Sequence, residues 1–241
     1  MVLKYRAKLD NIITKLYICS LYYIYPIINK NIKSKIEYIL NFDETDVDLS
    51  ADEQEEQALP GMHKYLQTGW YKYMIGRYLF SIKYIKDKEV LDTACGLGWG
   101  SYLISDIPKY IMSVDIDDNS LSFAKEQWIS DNIDFNKLSI LELNNITKNF
   151  DVVLSYEVIE HLTYYEGLTY IKEVSKVIKS NGIFILSSYF PDIEEDARIA
   201  EKKNRFHPHI YTKKEIKDIL NNNEFTNIKF YGDLIIKAEK I

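Results

Sequence analysis

The sequence predicts an α/β chain: a doubly wound, mostly parallel sheet of seven strands that ends in a C-terminal β-hairpin and is preceded by an N-terminal helical extension. Three observations carry this expectation. From about residue 60 onward, short apolar runs alternate with segments of helical period. Glycine is scarce, with 9 in 241 residues, yet Gly96, Gly98 and Gly100 stand together directly behind an apolar run. The chain closes with two β-rich runs joined at Gly232-Asp233.

Taken in order, residues 1–59 form an extension distinct from the 60–241 domain. Residues 1–42 are rich in Lys, and within them "LYICSLYYIYPII" (16–28) is apolar but too short to span a membrane and is broken by Pro26. The run "DETDVDLSADEQEEQ" (43–57) is acidic with no basic residue, as in a solvated linker. The basic, tyrosine-rich segment is expected to pack as helix on the main domain or on a partner subunit, the latter giving a homodimer. "KEVLDTA" (88–94) is a strand, followed by a helix from about Trp99. "YIMSVDI" (110–116) is a second strand, "NSLSFAKEQWIS" (119–130) a helix with an Asn cap, and "DFNKLSI" (134–140) a third strand. "FDVVLSY" (150–156) is the fourth, "YEGLTYIKEVSKVIK" (165–179) an amphipathic helix closed by Asn181-Gly182, and "GIFILSSYF" (182–190) the fifth. The stretch 190–211 lacks a period and is expected to form a lid carrying Phe206 and Tyr211; "TKKEIKDILNNN" (212–223) is a helix.

A glycine-rich turn between strand and helix exposes bare N–H groups at a helix N-terminus, where a ligand can sit close to the backbone. A dinucleotide site wants G-x-G-x-x-G, and here Ser101 stands where the last glycine belongs. Asp92, inside the strand end, would repel a pyrophosphate and hold an ammonium group. Asp115, ending the second strand, lies where a carboxylate accepts both hydroxyls of a ribose. S-adenosylmethionine offers an ammonium, a ribose and no phosphate.

Composition bounds the function. The net charge of −6 argues against a general nucleic-acid binder, and 46% hydrophobic residues suffice for a real core. Two cysteines, Cys19 and Cys95, make no disulfide framework and suit a cytoplasmic protein. No signal peptide or transmembrane segment is read from the sequence.

"VLDTACGLGWGS", "VDIDDNSLSFAK" and "FDVVLSYEVIEHL" together resemble the class I S-adenosylmethionine-dependent methyltransferases, in order and spacing, over roughly residues 60–241. The resemblance implies the Rossmann-like fold of those enzymes and S-adenosylmethionine as cofactor. It implies that Asp92 and the loop from Cys95 and Gly96 to Gly98 hold the methionine part, that Asp115 holds the ribose and that Ile116 flanks the adenine. Where relatives carry an aspartate after the third strand, "LSILEL" leaves the adenine contact to Ser139 or the backbone of Ile140. Arg77 is the candidate partner of the methionine carboxylate.

Methyl transfer from a sulfonium requires an aligned acceptor that loses its proton. The candidate machinery is "YEVIEHL", whose Glu157, Glu160 and His161 are spaced to share a helix face, joined by His207 from "NRFHPHIYTKKEI". Two readings stay open. By resemblance to enzymes that use an E-x-x-E-H group with a downstream histidine, Glu157, Glu160, His161 and His207 hold a divalent cation, Mg²⁺ or Mn²⁺. Alternatively His161 or His207 acts as general base, with Glu157 assisting. The acceptor is expected to be a small polar molecule, a sugar or nucleotide sugar as in polysaccharide biosynthesis. An amino-sugar or amine nitrogen, an RNA 2′-hydroxyl, or a non-catalytic cofactor-binding role are the alternatives, nucleic acid being disfavoured by the absence of a basic surface.

Overall fold

In the computed structural model the described residues are 19–24, 29–42 and 58–241. The acidic run 43–57 and the segment around Pro26 lie outside them. The chain divides into two compact units, 15–137 and 138–241.

In the first unit, helix α1 (Lys30–Ile39) starts at Asn29, whose side-chain oxygen accepts from the N–H groups of Asn31 and Ile32. Its Ile32, Ile36 and Ile39 recur at helical spacing and are buried. On the opposite flank Lys35 donates to Ser105 and Asp106, both at 2.7 Å, just past helix α4 (Trp99–Ile104). Helix α1 therefore buries its apolar face within its own unit. Helices α2 (His63–Thr68) and α3 (Tyr71–Ile85) follow, in a stretch whose sequence pattern marks no element. Apolar residues lie all round α3, so periodicity offers no stripe to read; the helix is buried from Tyr73 to Ser81.

Strands β1 (Glu89–Thr93), β2 (Tyr110–Asp115) and β3 (Ile133–Lys137) pair in parallel, Leu91 opposite Met112 and Ser113 opposite Phe135. β3 ends three residues short of the expected 140, because Ser139 turns the chain into a short 3₁₀ segment, Ile140–Asn145. Helix α5 (Asp118–Gln127) is capped by Asp117, which accepts from Ser120 N–H at 2.6 Å, and not by Asn119. Asp117 precedes the first helical residue, where the cap must stand; Asn119 already lies inside the helix.

The second unit holds β4 (Phe150–Tyr156), α6 (Tyr164–Val177), β5 (Ile178–Ser187), α7 (Glu194–Glu201), α8 (Lys213–Asn222), β6 (Phe225–Tyr231) and β7 (Ile235–Lys240). β4 and β5 are parallel, while β7 runs antiparallel to both β5 and β6, giving the expected terminal hairpin. Val152, Val153 and Leu154 are buried in succession, as strands covered on both faces are. Asn181-Gly182 does not close α6. The helix stops at Val177, β5 begins at once, and Asn181 at φ 61° sits in an irregularity where Phe150 pairs with Ile178 but Val152 with Ile183. The stretch 190–211 contains α7, whose first turn carries Glu194, Glu195 and Asp196, favourable charges for a helix N-terminus. The seven strands follow the order β3-β2-β1-β4-β5-β7-β6.

Candidate active site

Two clusters of polar side chains stand at the carboxyl ends of parallel strands, one in each unit. In the first, the turn after β1 takes three left-handed residues, Ala94, Gly96 and Gly98 at φ 50°, 52° and 75°. Gly98 is doubly constrained, since a side chain there would also meet Ala124 and Phe135 at 2.7 Å. Cys95 N–H donates to Val114 and Trp128 Nε1 donates to the Leu97 carbonyl, fixing the loop at two points. Asp115 closes the motif: its carboxylate accepts from Gly96 N–H at 2.7 Å and Asp117 N–H at 3.0 Å. Burial nevertheless raises its pKa above the ordinary carboxylate value. Ile116 beside it is 65% exposed, an uncovered apolar side chain next to a carboxylate.

Asp92 lies deeper, 1% exposed, and its Oδ2 accepts from Ser101 Oγ at 2.5 Å and Tyr78 OH at 3.2 Å. Ser101 in turn shares a 2.7 Å hydrogen bond with Ser113. Burial pushes the Asp92 carboxyl up to about 7, against the pull of these hydroxyls. Gly100 admits the tyrosine, because a Cβ there would lie 1.9 Å from Tyr78 Cζ. The sequence pattern does not point to Tyr78 or Ser101 as partners of Asp92; the signal for Ser101 is its place where a nucleotide-binding loop carries its last glycine. Burial also raises the Cys95 thiol. Arg77 is buried on α3, its guanidinium 4.9 Å from the Tyr73 ring centre. Ser139 and Ile140, of the second unit, begin the 3₁₀ segment, where the serine oxygen accepts from Leu141 N–H.

The second cluster follows β4. Glu157, Glu160 and His161 do not share a helix face: Glu157 is left-handed at φ 55°, Ile159–His161 is a single 3₁₀ turn, and α6 starts only at Tyr164. The capping box of Thr163 with Glu166 sets that start and leaves the motif outside the helix. Glu157 turns to β5, its Oε1 accepting from Ser187 Oγ at 2.8 Å while its N–H donates to the Ser187 carbonyl at 3.1 Å. Left-handed geometry in a glutamate costs energy and is held here by that double contact.

Glu160, His161 and His207 do come together: one ligand atom from each lies within 4.8 Å of the others. The two imidazoles meet edge to face, with ring centres 4.9 Å apart. Glu160 is 2% exposed. Burial holds the His161 pKa down to about 4, helped by His207 and opposed by Glu157, and burial lowers His207 in the same direction. Burial thus favours the neutral form of both rings. Next to them, Tyr164 packs on His209 and stacks on Tyr211, whose ring is 1% exposed. Tyr211 is thus an anchor of the 207–212 segment and not a lid residue. A buried carboxylate with two neutral imidazoles is a donor set that suits a divalent cation of the Mn²⁺ or Fe²⁺ kind, or Mg²⁺ completed by water.

A methyltransferase-domain family profile matches residues 85–231. A probable S-adenosylmethionine-dependent methyltransferase of Mycolicibacterium smegmatis is 24% identical over 133 residues, covering 55% of this chain and 49% of the relative. The ubiquinone biosynthesis O-methyltransferase of Pelagibacter ubique is 28% identical over 109 residues, 45% of each chain. This chain thus spans about half the length of these two relatives or less. The tRNA U34 carboxymethyltransferase of Campylobacter fetus is 25% identical over 207 residues, covering 83% of this chain and 72% of that one. Among solved structures, a SAM-dependent methyltransferase from Archaeoglobus fulgidus superposes with a TM-score of 0.59 at 17% identity, over 74% of this chain and all of that one. With the family profile covering most of the chain and the glycine loop, the acidic strand ends and the sheet all in the expected order, the chain belongs to the class I S-adenosylmethionine-dependent methyltransferase superfamily.

Proposed function

We propose that the chain transfers the methyl group of S-adenosylmethionine to a hydroxyl of a small polar acceptor, a sugar or nucleotide sugar, in the cytoplasm. The observation that carries the reading is the convergence of Glu160, His161 and His207 within 4.8 Å beside β4. On the donor side, the buried Asp92 suits the ammonium of the methionine part, and Arg77 its carboxylate. Asp115 suits the ribose hydroxyls, and Ile116 one face of the adenine, whose edge falls to Ser139 or the backbone of Ile140. The Gly96–Gly98 turn and Cys95 supply backbone groups at close approach.

On the acceptor side, Glu160, His161 and His207 would hold a divalent cation, and Glu157, fixed by Ser187, adds negative charge beside the two rings. When bound, such an ion lowers the pKa of a coordinated hydroxyl. Without an ion, the same histidines would take the hydroxyl proton. No helix among the described residues is long and apolar enough to cross a membrane. A homodimer formed through residues 1–59 would have to use parts other than α1's apolar face, which is already covered.

The deciding experiment offers radiolabelled S-adenosylmethionine with nucleotide sugars, amino sugars, catechols and a tRNA pool, before and after treatment with chelator. Label on a sugar hydroxyl, lost with chelator and restored by Mg²⁺ or Mn²⁺, supports the proposal. Label in tRNA would shift the assignment towards the RNA-modifying relative, and turnover insensitive to chelator would leave the histidines as bases.

A further inference from the structure

We propose that Asn204 sets the tautomer of His207, keeping its Nε2 as an unprotonated acceptor and the ring proton on Nδ1; that Nε2 is also the nitrogen a cation or proton would enter rests on the reading of the histidine pair given above. Elimination among donors and acceptors fixes the assignment. Phe206 N–H can only donate, and it points at the side-chain oxygen of Asn204 at 3.0 Å. The oxygen end of the carboxamide is thereby fixed, so its NH₂ end is the group that stands 3.0 Å from His207 Nε2. An amide NH₂ cannot accept, hence Nε2 must. A neutral imidazole carries one proton, which then resides on Nδ1.

The same short turn orients the other ring. His207 N–H donates to the Asn204 carbonyl at 3.1 Å, closing the turn. The Phe206 backbone also hydrogen-bonds the His161 ring. Residues 204–207 thus touch both imidazoles and decide the proton position on His207, as outer groups do around ligating histidines. Asn204 fills the Nε2 lone pair with a neutral donor, which a cation or proton entering at Nε2 would have to displace.

A merely structural asparagine would be well replaced by aspartate, which keeps the oxygen that receives Phe206 N–H. A tautomer-setting one would not, because the second oxygen of the introduced carboxylate can only accept and draws the His207 proton onto Nε2. The test is nitrogen-15 NMR of the His207 ring in the full chain, without metal or donor, at a pH of about 8, above the ordinary histidine pKa. Wild type is expected to show the proton on Nδ1, and Asn204→Asp to move it to Nε2. A wild-type ring protonated on Nε2 overturns the proposal without any variant being needed, as does an unchanged tautomer in Asn204→Asp. A second readout is Mn²⁺ affinity, expected to fall about 10–100-fold in Asn204→Asp. If the tautomer moves as expected but wild type binds no Mn²⁺, the role of Asn204 stands and the cation reading above is the part that fails.

Discussion

Ala94 and Glu157 each follow the last residue of a parallel strand, and both are left-handed, at φ 50° and 55°. What surrounds them differs. Around Ala94 the polar groups are satisfied by near neighbours in sequence: Asp115 by Gly96 and Asp117, Asp92 by Ser101 and Tyr78. Around Glu157 the partners come from afar: Ser187 for the glutamate itself and His207 for His161, the latter held by its own neighbour Asn204. The cluster after β1, proposed to hold the donor, is a local device, dictated by a motif that folds on itself. The acceptor-side cluster exists only once β5 and the 204–212 segment have been laid beside β4 and α6. A local device can be kept while the distant partners vary, which is how one fold comes to serve many acceptors.

The division is broken most directly by His161→Ala. Turnover should fall by about 100-fold or more, whether the ring is a ligand or a base, while S-adenosylmethionine affinity by calorimetry stays as in wild type. Loss of donor binding in that variant would show that the two clusters do not divide the labour. The converse variant, Asp115→Ala, should cost about 1.5–3 kcal/mol of donor affinity, the worth of charged hydrogen bonds. Mn²⁺ binding should be unchanged in it. Gly100→Ala probes the local device without touching a charge. Its Cβ has no room against the Tyr78 ring, so stability should drop by about 1–3 kcal/mol in urea unfolding. Undiminished stability would mean that Tyr78 can leave Asp92 at little cost.

The same contrast explains what was legible in the sequence. Asp92, the glycines and Asp115 are read from neighbouring residues because their contacts are local, and the strand–helix alternation that frames them is a periodicity argument. The helical face expected for Glu157, Glu160 and His161 fails for a reason visible in residues: Thr163 with Glu166 is a stronger helix start than anything before it, so the motif is left in a 3₁₀ turn. Ser187 is not legible, since it lies 30 residues from Glu157 along the chain; Asn204 stands within the quoted stretch, but only the folded turn brings its carboxamide onto the His207 ring. Helix α3 is silent in the pattern because a helix buried on all sides has no stripe.

Asp92 gives a pH test of the donor side. Its carboxyl, raised by burial from 3.8 to about 7, resists ionisation in the folded protein. Its contribution to fold stability is therefore fully present below pH 3.8 and declines as pH rises towards 7. If Asp92 holds the donor's ammonium as proposed, donor binding has the opposite sign, since an ammonium favours the charged carboxylate. Affinity for S-adenosylmethionine should be constant above pH 7 and weaken below it, by up to about tenfold per pH unit, with a proton released on binding. Calorimetry in buffers of different ionisation enthalpy measures that proton. Asp92→Asn should remove the slope; a slope that persists assigns the proton to another group.

The smallest effects come from the two helix starts that follow the histidine segments. Thr163 and Thr212 each close a capping box, with Glu166 and Glu215, and each lies shortly after a histidine of the cluster. Replacing either by Ala should cost about 1 kcal/mol of stability. Thr163 hydrogen bonds hold the Glu166 pKa below 4.5, so that carboxylate's support of the fold is present above this pH and fades as pH falls through the lowered value. The two starts are not independent, however. Tyr211, just before Thr212, stacks on Tyr164, just after Thr163, and its hydroxyl donates to the Tyr164 carbonyl at 3.3 Å. Loosening one start loosens the seat of the other. The double variant should thus depart from the sum of the singles by about 0.5 kcal/mol or more in a double-mutant cycle. Strict additivity would mean that the histidine-bearing segments are anchored separately, and the acceptor-side cluster would then be assembled by β5 and Ser187 instead of by the pairing of these two helix starts.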